Sequence, residues 1–265
     1  MGVWSVSSTK KRGLQLVVLY LEVDGWRVPW GFRVWRGKDN ASPGTLALKL
    51  LRTLPKALTA RYRVMVLADS GFCGVEFIEG VRRLGHHAVV GVRRDRRLAH
   101  GTRLDRADSR GECVYLEGLP EVPVYVAVYV AAYWLKRDES REKRFVLCTR
   151  ALSPEHIVRW GKRRWCIEGF FKTAKGRFGL DRFGQGSRLG VYRYLVLSLI
   201  AYLLAHWGHL SQGREGLPRW GEAARTILEE VLPQTVIEGL LMEIEERGAL
   251  LRSRGIEVSV DRCKI

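Results

Sequence analysis

Two carboxylates in this sequence stand where a strand and a helix could present them to one ligand. The first, Asp69, ends the apolar segment RVMVLA and is followed by Ser-Gly, so we expect it at the carboxyl end of a buried strand. Open α/β sheets place their ligand sites at that edge. The alternative interpretation is that Asp69 or Ser70 caps the next helix, because both residue types are favoured at helix N-termini.

The second carboxylate, Glu168, lies in the segment RRWCIEGFFKTAK, on a helix that we expect to run from Ser153 to about Phe178. At about 100° per residue, two neighbouring stripes emerge on this helix. The apolar stripe, expected to face the core, is Ile157, Trp160, Ile167, Phe171, Ala174 and Phe178. The neighbouring stripe is Gly161, Arg164, Glu168, Lys172 and Lys175. Glu168 is therefore predicted at the edge of the core between cations, although ordinary i,i+4 ion pairs on a solvated face give the same pattern.

The composition indicates a folded protein whose partners are polyanions. The 265 residues are 46% hydrophobic, which excludes global disorder, and 45 Lys+Arg against 28 Asp+Glu give a net charge of +17. Most of this charge lies in two blocks, residues 82–110 and 159–193, while the segment 211–265 is slightly acidic. Nucleic acid and anionic membrane surfaces are the partners that such a charge attracts.

The membrane alternative is weaker on the sequence. The apolar stretch 194–212 is expected to be a buried core helix, because no second span accompanies it and no basic amphipathic anchor is present. The five cysteines form no CxxC pair or regular framework, which predicts reduced thiols and a cytoplasmic location.

The apolar patterns predict a mixed α/β sheet that positions the two carboxylates. An Asp24-Gly25 turn is expected to join two strands into a hairpin, with the second strand bulged or at an edge because of Pro29. The first elements are strands 14–23 and 26–35, helix 45–54, strand 63–68, helix 75–84 and strand 88–92. An arginine-rich loop or flap (93–111), a small β insertion (strands 113–116, 124–135 and 144–149), helices 154–178 and 189–210 and a helical tail from residue 216 complete the chain.

The strand-end acid, the helical Glu about a hundred residues later and the flanking cations resemble the DDE-type insertion-sequence transposases. The resemblance rests on two segments. The first is VMVLADSGF, which contains Asp69, and the second is RRWCIEGFFKTAK, which matches the family's Tyr-Arg-Glu-Lys signature at Arg164, Glu168 and Lys175. The tyrosine position is Gly161 here, with Trp160 beside it. The hairpin VVLYLEVDGWRVPWGFRVW is similar to the family's second and third strands, and the resemblance covers about residues 13–210.

This resemblance implies an RNase H-like catalytic domain that transfers phosphoryl groups with two Mg²⁺ or Mn²⁺ ions held by three carboxylates. Asp69 and Glu168 would be catalytic metal ligands, and Arg163, Arg164, Lys172 and Lys175 would bind DNA phosphates. The implied partner is double-stranded DNA, as transposon ends and as target. The implied setting is the prokaryotic cytoplasm in association with the nucleoid, and a homodimer is compatible with it.

The sequence departs from the family before the hairpin, where the first catalytic Asp is expected. No acid precedes Glu22, and Asp24 lies at the hairpin turn. We interpret the chain as an N-terminally truncated, inactive copy; the alternative is a non-catalytic DNA-binding remnant. Residues 2–8 alternate between apolar and polar side chains. We expect them to occupy part of the position of the family's first strand. The expected divisions are 1–99 and 151–212 for the catalytic core, 100–150 for the β insertion and 213–265 for the tail.

Overall fold

The computed structural model describes residues 2–4, 14–107, 112–135 and 138–258. The strands in these ranges are Gly2–Trp4 (β1), Gln15–Val23 (β2), Trp26–Trp35 (β3), Met65–Ala68 (β4), His87–Val92 (β5), Cys113–Leu116 (β6), Leu119–Leu135 (β7) and Asp138–Cys148 (β8). The α-helices are Pro43–Leu51 (α1), Lys56–Arg61 (α2), Val75–Arg83 (α3), Pro154–Arg163 (α4), Cys166–Phe178 (α5), Arg188–Ser211 (α6), Trp220–Thr226 (α7), Leu232–Glu246 (α8) and Gly248–Ser253 (α9). The chain divides into two units, one of residues 1–23 and 27–173, the other of residues 24–26 and 174–265.

The first sheet has the order β1-β2-β3 and contains the predicted hairpin. Its turn has positive φ at both central residues, 47° at Asp24 and 80° at Gly25, as a two-residue hairpin turn of type I′ requires. β3 lies at the sheet edge, where a proline is tolerated because no neighbour needs its missing N–H. Gly2–Trp4 pairs antiparallel with β2, so these residues fill part of the β2 edge as predicted. Residues 5–8 of that prediction lie outside the described ranges.

The second sheet has the order β4-β5-β8-β7-β6 and is mixed. β4 and β5 are parallel, with Val66 opposite Ala88, and β5 pairs antiparallel with β8, with Val90 opposite Leu147. The strands after residue 112 therefore continue the sheet that carries Asp69. The division of the chain at residues 100 and 150 stays a prediction.

Helices cover both faces of this sheet. On one face, α1 and α3 pack into the large core, where Leu48, Ile78 and Val81 are buried against Val90 and Leu147. On the other face, Ile157 of α4 is fully buried among residues of β5, β7 and β8. A mixed sheet flanked by helices on both faces is consistent with the predicted RNase H-like α/β fold.

The single long helix expected from residue 154 to 178 is wrong, because the structure has two helices, α4 and α5. At the junction the Trp165 N–H donates to Lys162 O (3.1 Å), and the Glu168 N–H donates to Trp165 O (3.1 Å). These bonds span three residues and tighten the chain into turns at Arg164 and Trp165. The apolar stripe survives the break. Ile157, Ile167, Phe171 and Ala174 are buried, and Trp160 and Phe178 are partly buried.

The segment after β5, predicted as a loop or flap, is an anchored loop over residues 93–107. Leu98 and Leu104 fix it to the core, with 1% and 2% of their surface exposed. The Arg96 side chain also donates to Glu117 O (2.9 Å). The described part of this segment is therefore held in place by buried leucines rather than free to swing.

In the second unit, α6 buries one face and exposes another. Tyr202 and His206 are buried beside Trp220 of α7, with 4.5 Å between the ring centroids of Tyr202 and Trp220. Leu197, on the other face, is 64% exposed. Among the described residues α6 alone is long and apolar enough to cross a membrane, a statement about length and composition only. The tail is helical as predicted, and α9 begins at the predicted break at Gly248. The predicted break at Pro233 is wrong, because α7 continues through a π-helical turn, Ile227–Val231, directly into α8.

Candidate active site

Asp69 lies directly after β4, at the carboxyl end of the strand, as the sequence predicts. Its Oδ1 accepts a hydrogen bond from the Gly71 N–H (2.8 Å), so Asp69 caps the short 3₁₀ helix Ser70–Phe72. It does not cap α3, whose N-cap is Gly74. Gly91 of β5 lies close beneath this turn, since a Cβ at position 91 would stand 3.2 Å from the Ser70 nitrogen. The absence of a side chain at Gly91 therefore lets the two parallel strands end side by side with Asp69 above them.

Asp69 lines a cavity of about 710 Å³ at this edge of the sheet. Gly161 of α4 and Arg164 of the α4–α5 turn line the same cavity, so the fold brings the two sequence segments together. Two carboxylates and six cations line it in all: Asp69, Asp95, Arg93, Arg94, Arg103, Lys143, Arg144 and Arg164. Such an excess of positive charge makes the cavity a site for anions.

Glu168 lies in the first turn of α5 and does not itself line this cavity, but it forms an ion pair with Arg164, which does. Its Oε1 accepts from Nη1 of Arg164 over 3.3 Å, and its side chain is 46% exposed. The i,i+4 ion pair that the sequence left as an alternative is thus present. Exposed pairs of this kind are worth about 0.3–0.5 kcal/mol, so a phosphate can compete for Arg164 at small cost. The structure brings Asp69 and Arg164 together and links Glu168 to Arg164.

The other predicted DNA-binding residues are placed differently. Arg163 donates to Oε1 of Glu22 (3.1 Å) and lies over the Trp160 ring, 5.0 Å from its centroid, and it does not line the cavity. Lys172 is exposed on α5. Lys175, also on α5, is half-buried, and burial lowers the pKa of its ammonium group to about 8, with Asp181 opposing the shift.

Lys143 and Arg144 are cavity residues that the sequence analysis missed. Both lie on β8, whose pairing with β5 ends at Val92 opposite Phe145, so the two cations extend beyond the end of β5. The arginine block at 82–110 was visible in the composition, and Arg93, Arg94 and Arg103 belong to it. The local sequence pattern of β8 does not indicate that its cations lie beside these arginines. Their position at the cavity follows from the pairing of β8 with β5.

Gly161 explains the departure from the signature tyrosine in physical terms. A Cβ at position 161 would lie 2.9 Å from Cγ2 of Val146, so α4 approaches β8 too closely for any side chain there. A tyrosine requires Val146 and the helix to move.

Gly161→Ala is expected to lower the free energy of unfolding by up to about 2 kcal/mol. Overpacking costs about 1–3 kcal/mol, and the better helix propensity of alanine returns about 1 kcal/mol. Urea denaturation measures the change. Gly169→Ala is the matched control, because nothing lies within 4 Å of a Cβ there. It is expected to stabilise the chain, and equal effects of the two substitutions would contradict the packing argument.

The donors at this site fit Mg²⁺ in type, because carboxylate oxygens are the ligands that this ion prefers. They do not fit it in number. Among the described residues no group of three or more His, Cys, Asp or Glu side chains is placed to hold a metal ion. One Glu168 oxygen is also engaged by Arg164. The described residues therefore do not form a complete two-ion site.

The lowered pKa of Lys175, together with the phosphate contact that the resemblance implies for it, predicts a pH-dependent DNA affinity. Lys175 is charged below its pKa of about 8 and loses that charge as the pH rises from 7 to 9. A phosphate contact near 4 Å in water is worth about 1 kcal/mol, so the affinity of the unmodified chain should fall about fivefold relative to Lys175→Arg over this range. Fluorescence anisotropy with labelled duplex measures the ratio. Lys172→Arg is the control, and a flat ratio for Lys175→Arg would refute the prediction.

Asp69 thus lies at the end of a sheet strand, and Arg164, which forms an ion pair with Glu168, lines the same cation-rich cavity. The sequence model of the transposase DDE domain family matches residues 7–204, so the chain belongs to this family. A comparison with curated protein sequences finds no match.

Proposed function

We propose that this chain is a DNA transposase domain of the DDE type, a family whose reaction is strand cleavage and strand transfer at transposon ends. The observation that carries the proposal is the convergence of Asp69 and Arg164, the partner of Glu168, on one cation-lined cavity. In this assignment the cut phosphate lies near Asp69 and Glu168, the proposed metal-binding carboxylates. The cavity cations neutralise the neighbouring phosphates, which fix the position of the DNA but carry no sequence information.

We propose further that the 265-residue chain binds DNA without cutting it. The family's reaction uses three carboxylates, and this chain offers Asp69 and Glu168. Asp95, the other acid that lines the cavity, is engaged by Arg93 in a bidentate ion pair. Glu22, the first acid in the sequence, is held by Arg163 (3.1 Å) and Arg27 (3.6 Å) and does not line the cavity. Two carboxylates favour the alternative of a non-catalytic DNA-binding protein over an active transposase. A homodimer and a place beside the nucleoid in a prokaryotic cytoplasm stay predictions.

The proposal is tested by DNA affinity without a metal ion. A carboxylate near 4 Å from a phosphate repels it by about 1 kcal/mol in water, so Asp69→Asn and Glu168→Gln should each tighten duplex binding about fivefold in EDTA. Glu168→Gln also releases Arg164 for a phosphate. Anisotropy titrations at fixed salt measure both variants. Asp39→Asn, an exposed acid away from the cavity, is the control. Unchanged or weaker binding by Asp69→Asn and Glu168→Gln would show that the DNA phosphates do not lie near these carboxylates and would contradict the proposal.

A further inference from the structure

We propose that cations of β8 and of the loop after β5 form a second phosphate-binding wall that binds the DNA strand next to the cut. This wall consists of Arg93, Arg94, Arg103, Lys143 and Arg144, none of which belongs to the transposase signature. The inference rests on the proposed function, because it takes the phosphate at Asp69 as its starting point.

The sheet order sets the distance between the wall and Asp69. β4, which carries Asp69, is followed in the sheet by β5 and then β8. Neighbouring strands lie about 4.8 Å apart, so the cations of β8 stand roughly 10 Å across the sheet from the β4 end. Along the helix axis, one DNA strand rises about 3.4 Å per phosphate, so a duplex whose axis crosses the sheet advances about three phosphates over this distance. A strand with one phosphate at Asp69 therefore brings its next two or three phosphates to the wall.

The wall is built on fixed backbone. Buried Leu98 and Leu104 anchor the loop that carries its arginines. Two of those arginines make bidentate ion pairs inside the loop. Arg93 donates to Asp95 (3.2 and 2.9 Å), and Arg103 donates to Asp105 (3.1 and 2.7 Å). These pairs fix the loop shape, so little ordering of the loop is required when DNA binds.

Arg94 and Lys143 differ from Arg93 and Arg103, the wall residues that make ion pairs inside the loop. Both are exposed and line the cavity, and within the described ranges neither side chain has a hydrogen bond or ion pair. A cation without an acidic partner beside a proposed phosphate site adds attraction without first giving up an existing ion pair. Arg94 and Lys143 are therefore the wall residues expected to contribute most to DNA binding.

The test counts phosphate contacts from the salt dependence of duplex binding. Each lost contact lowers the slope of log K against log salt by about 0.9, so Arg94→Gln with Lys143→Gln should lower it by about 2. Arg52→Gln with Lys56→Gln is the matched control, since it removes one exposed Arg and one exposed Lys away from the cavity. The control should keep the slope of the unmodified chain. The charge-conserving pair Arg94→Lys with Lys143→Arg should keep it as well.

An unchanged slope for Arg94→Gln with Lys143→Gln, or an equal loss in the control pair, would overturn the second wall while leaving the proposed function in place. Salt-independent binding by the unmodified chain would overturn the proposed function itself. The two failures are therefore distinguished in one set of titrations.

Discussion

Raising the salt concentration from about 50 to about 200 mM is expected to weaken duplex DNA binding by this chain about 10³–10⁵-fold. This is the loss expected for a protein that makes about six to ten phosphate contacts. The candidate site offers six cavity cations, and the exposed Lys172 of α5 is expected to add one more contact. The predicted effect is large because the contacts release counterions from the DNA rather than read its bases.

Anisotropy titrations at several salt concentrations measure this loss, and two unrelated duplexes of equal length provide the control. Their affinities should agree within a few-fold at each salt concentration, because phosphate contacts carry no sequence information. Affinity that stays constant as salt rises would show that the net charge of +17 plays no part in DNA binding.

Residues at the ends of elements were the most predictable part of the site. Asp69 closes a short apolar strand and precedes Ser-Gly, and this local pattern was sufficient to place it at the sheet edge. The hairpin turn at Asp24-Gly25 and the Ser42 cap of α1, which accepts from the Thr45 N–H (3.1 Å), were predictable for the same reason. Such signals depend on the conformation of a few adjacent residues.

Pairing between distant strands was not predictable. The strand pattern at 144–149 indicated a β strand, but nothing in it indicated that Val90 would face Leu147. This pairing brings Lys143 and Arg144 to the cavity. Strand partners are chosen by packing across the whole sheet, which a local pattern does not contain.

The break between α4 and α5 was also missed, for a different physical reason. The apolar stripe continues across Arg164 and Trp165, so a helical period of 3.6 residues fits both sides of the break. Turns with three-residue bonds differ from an α-helix by only a small rotation per residue. The break matters for function, because Arg164 lies in it and lines the cavity with Asp69.

Strand cleavage by the 265-residue chain is expected to be absent. The resemblance implies three carboxylates, and the described residues hold no group of three that could bind a metal ion. Loss of metal-based charge stabilisation costs several kcal/mol of transition-state binding, and about 4 kcal/mol is already a thousandfold in rate. DNA binding is expected to depend on the cations rather than on a set of three carboxylates, so we expect binding to persist where cleavage does not.

A nicking assay tests this account most directly. Supercoiled plasmid carrying the DNA that flanks the gene is incubated with the unmodified chain or with Glu168→Ala, in Mg²⁺ or Mn²⁺, at a salt concentration where both bind. The account predicts that both proteins leave the plasmid intact to the same extent. Nicked or linear product from the unmodified chain, abolished by Glu168→Ala, would show that Asp69 and Glu168 suffice for catalysis and would contradict it.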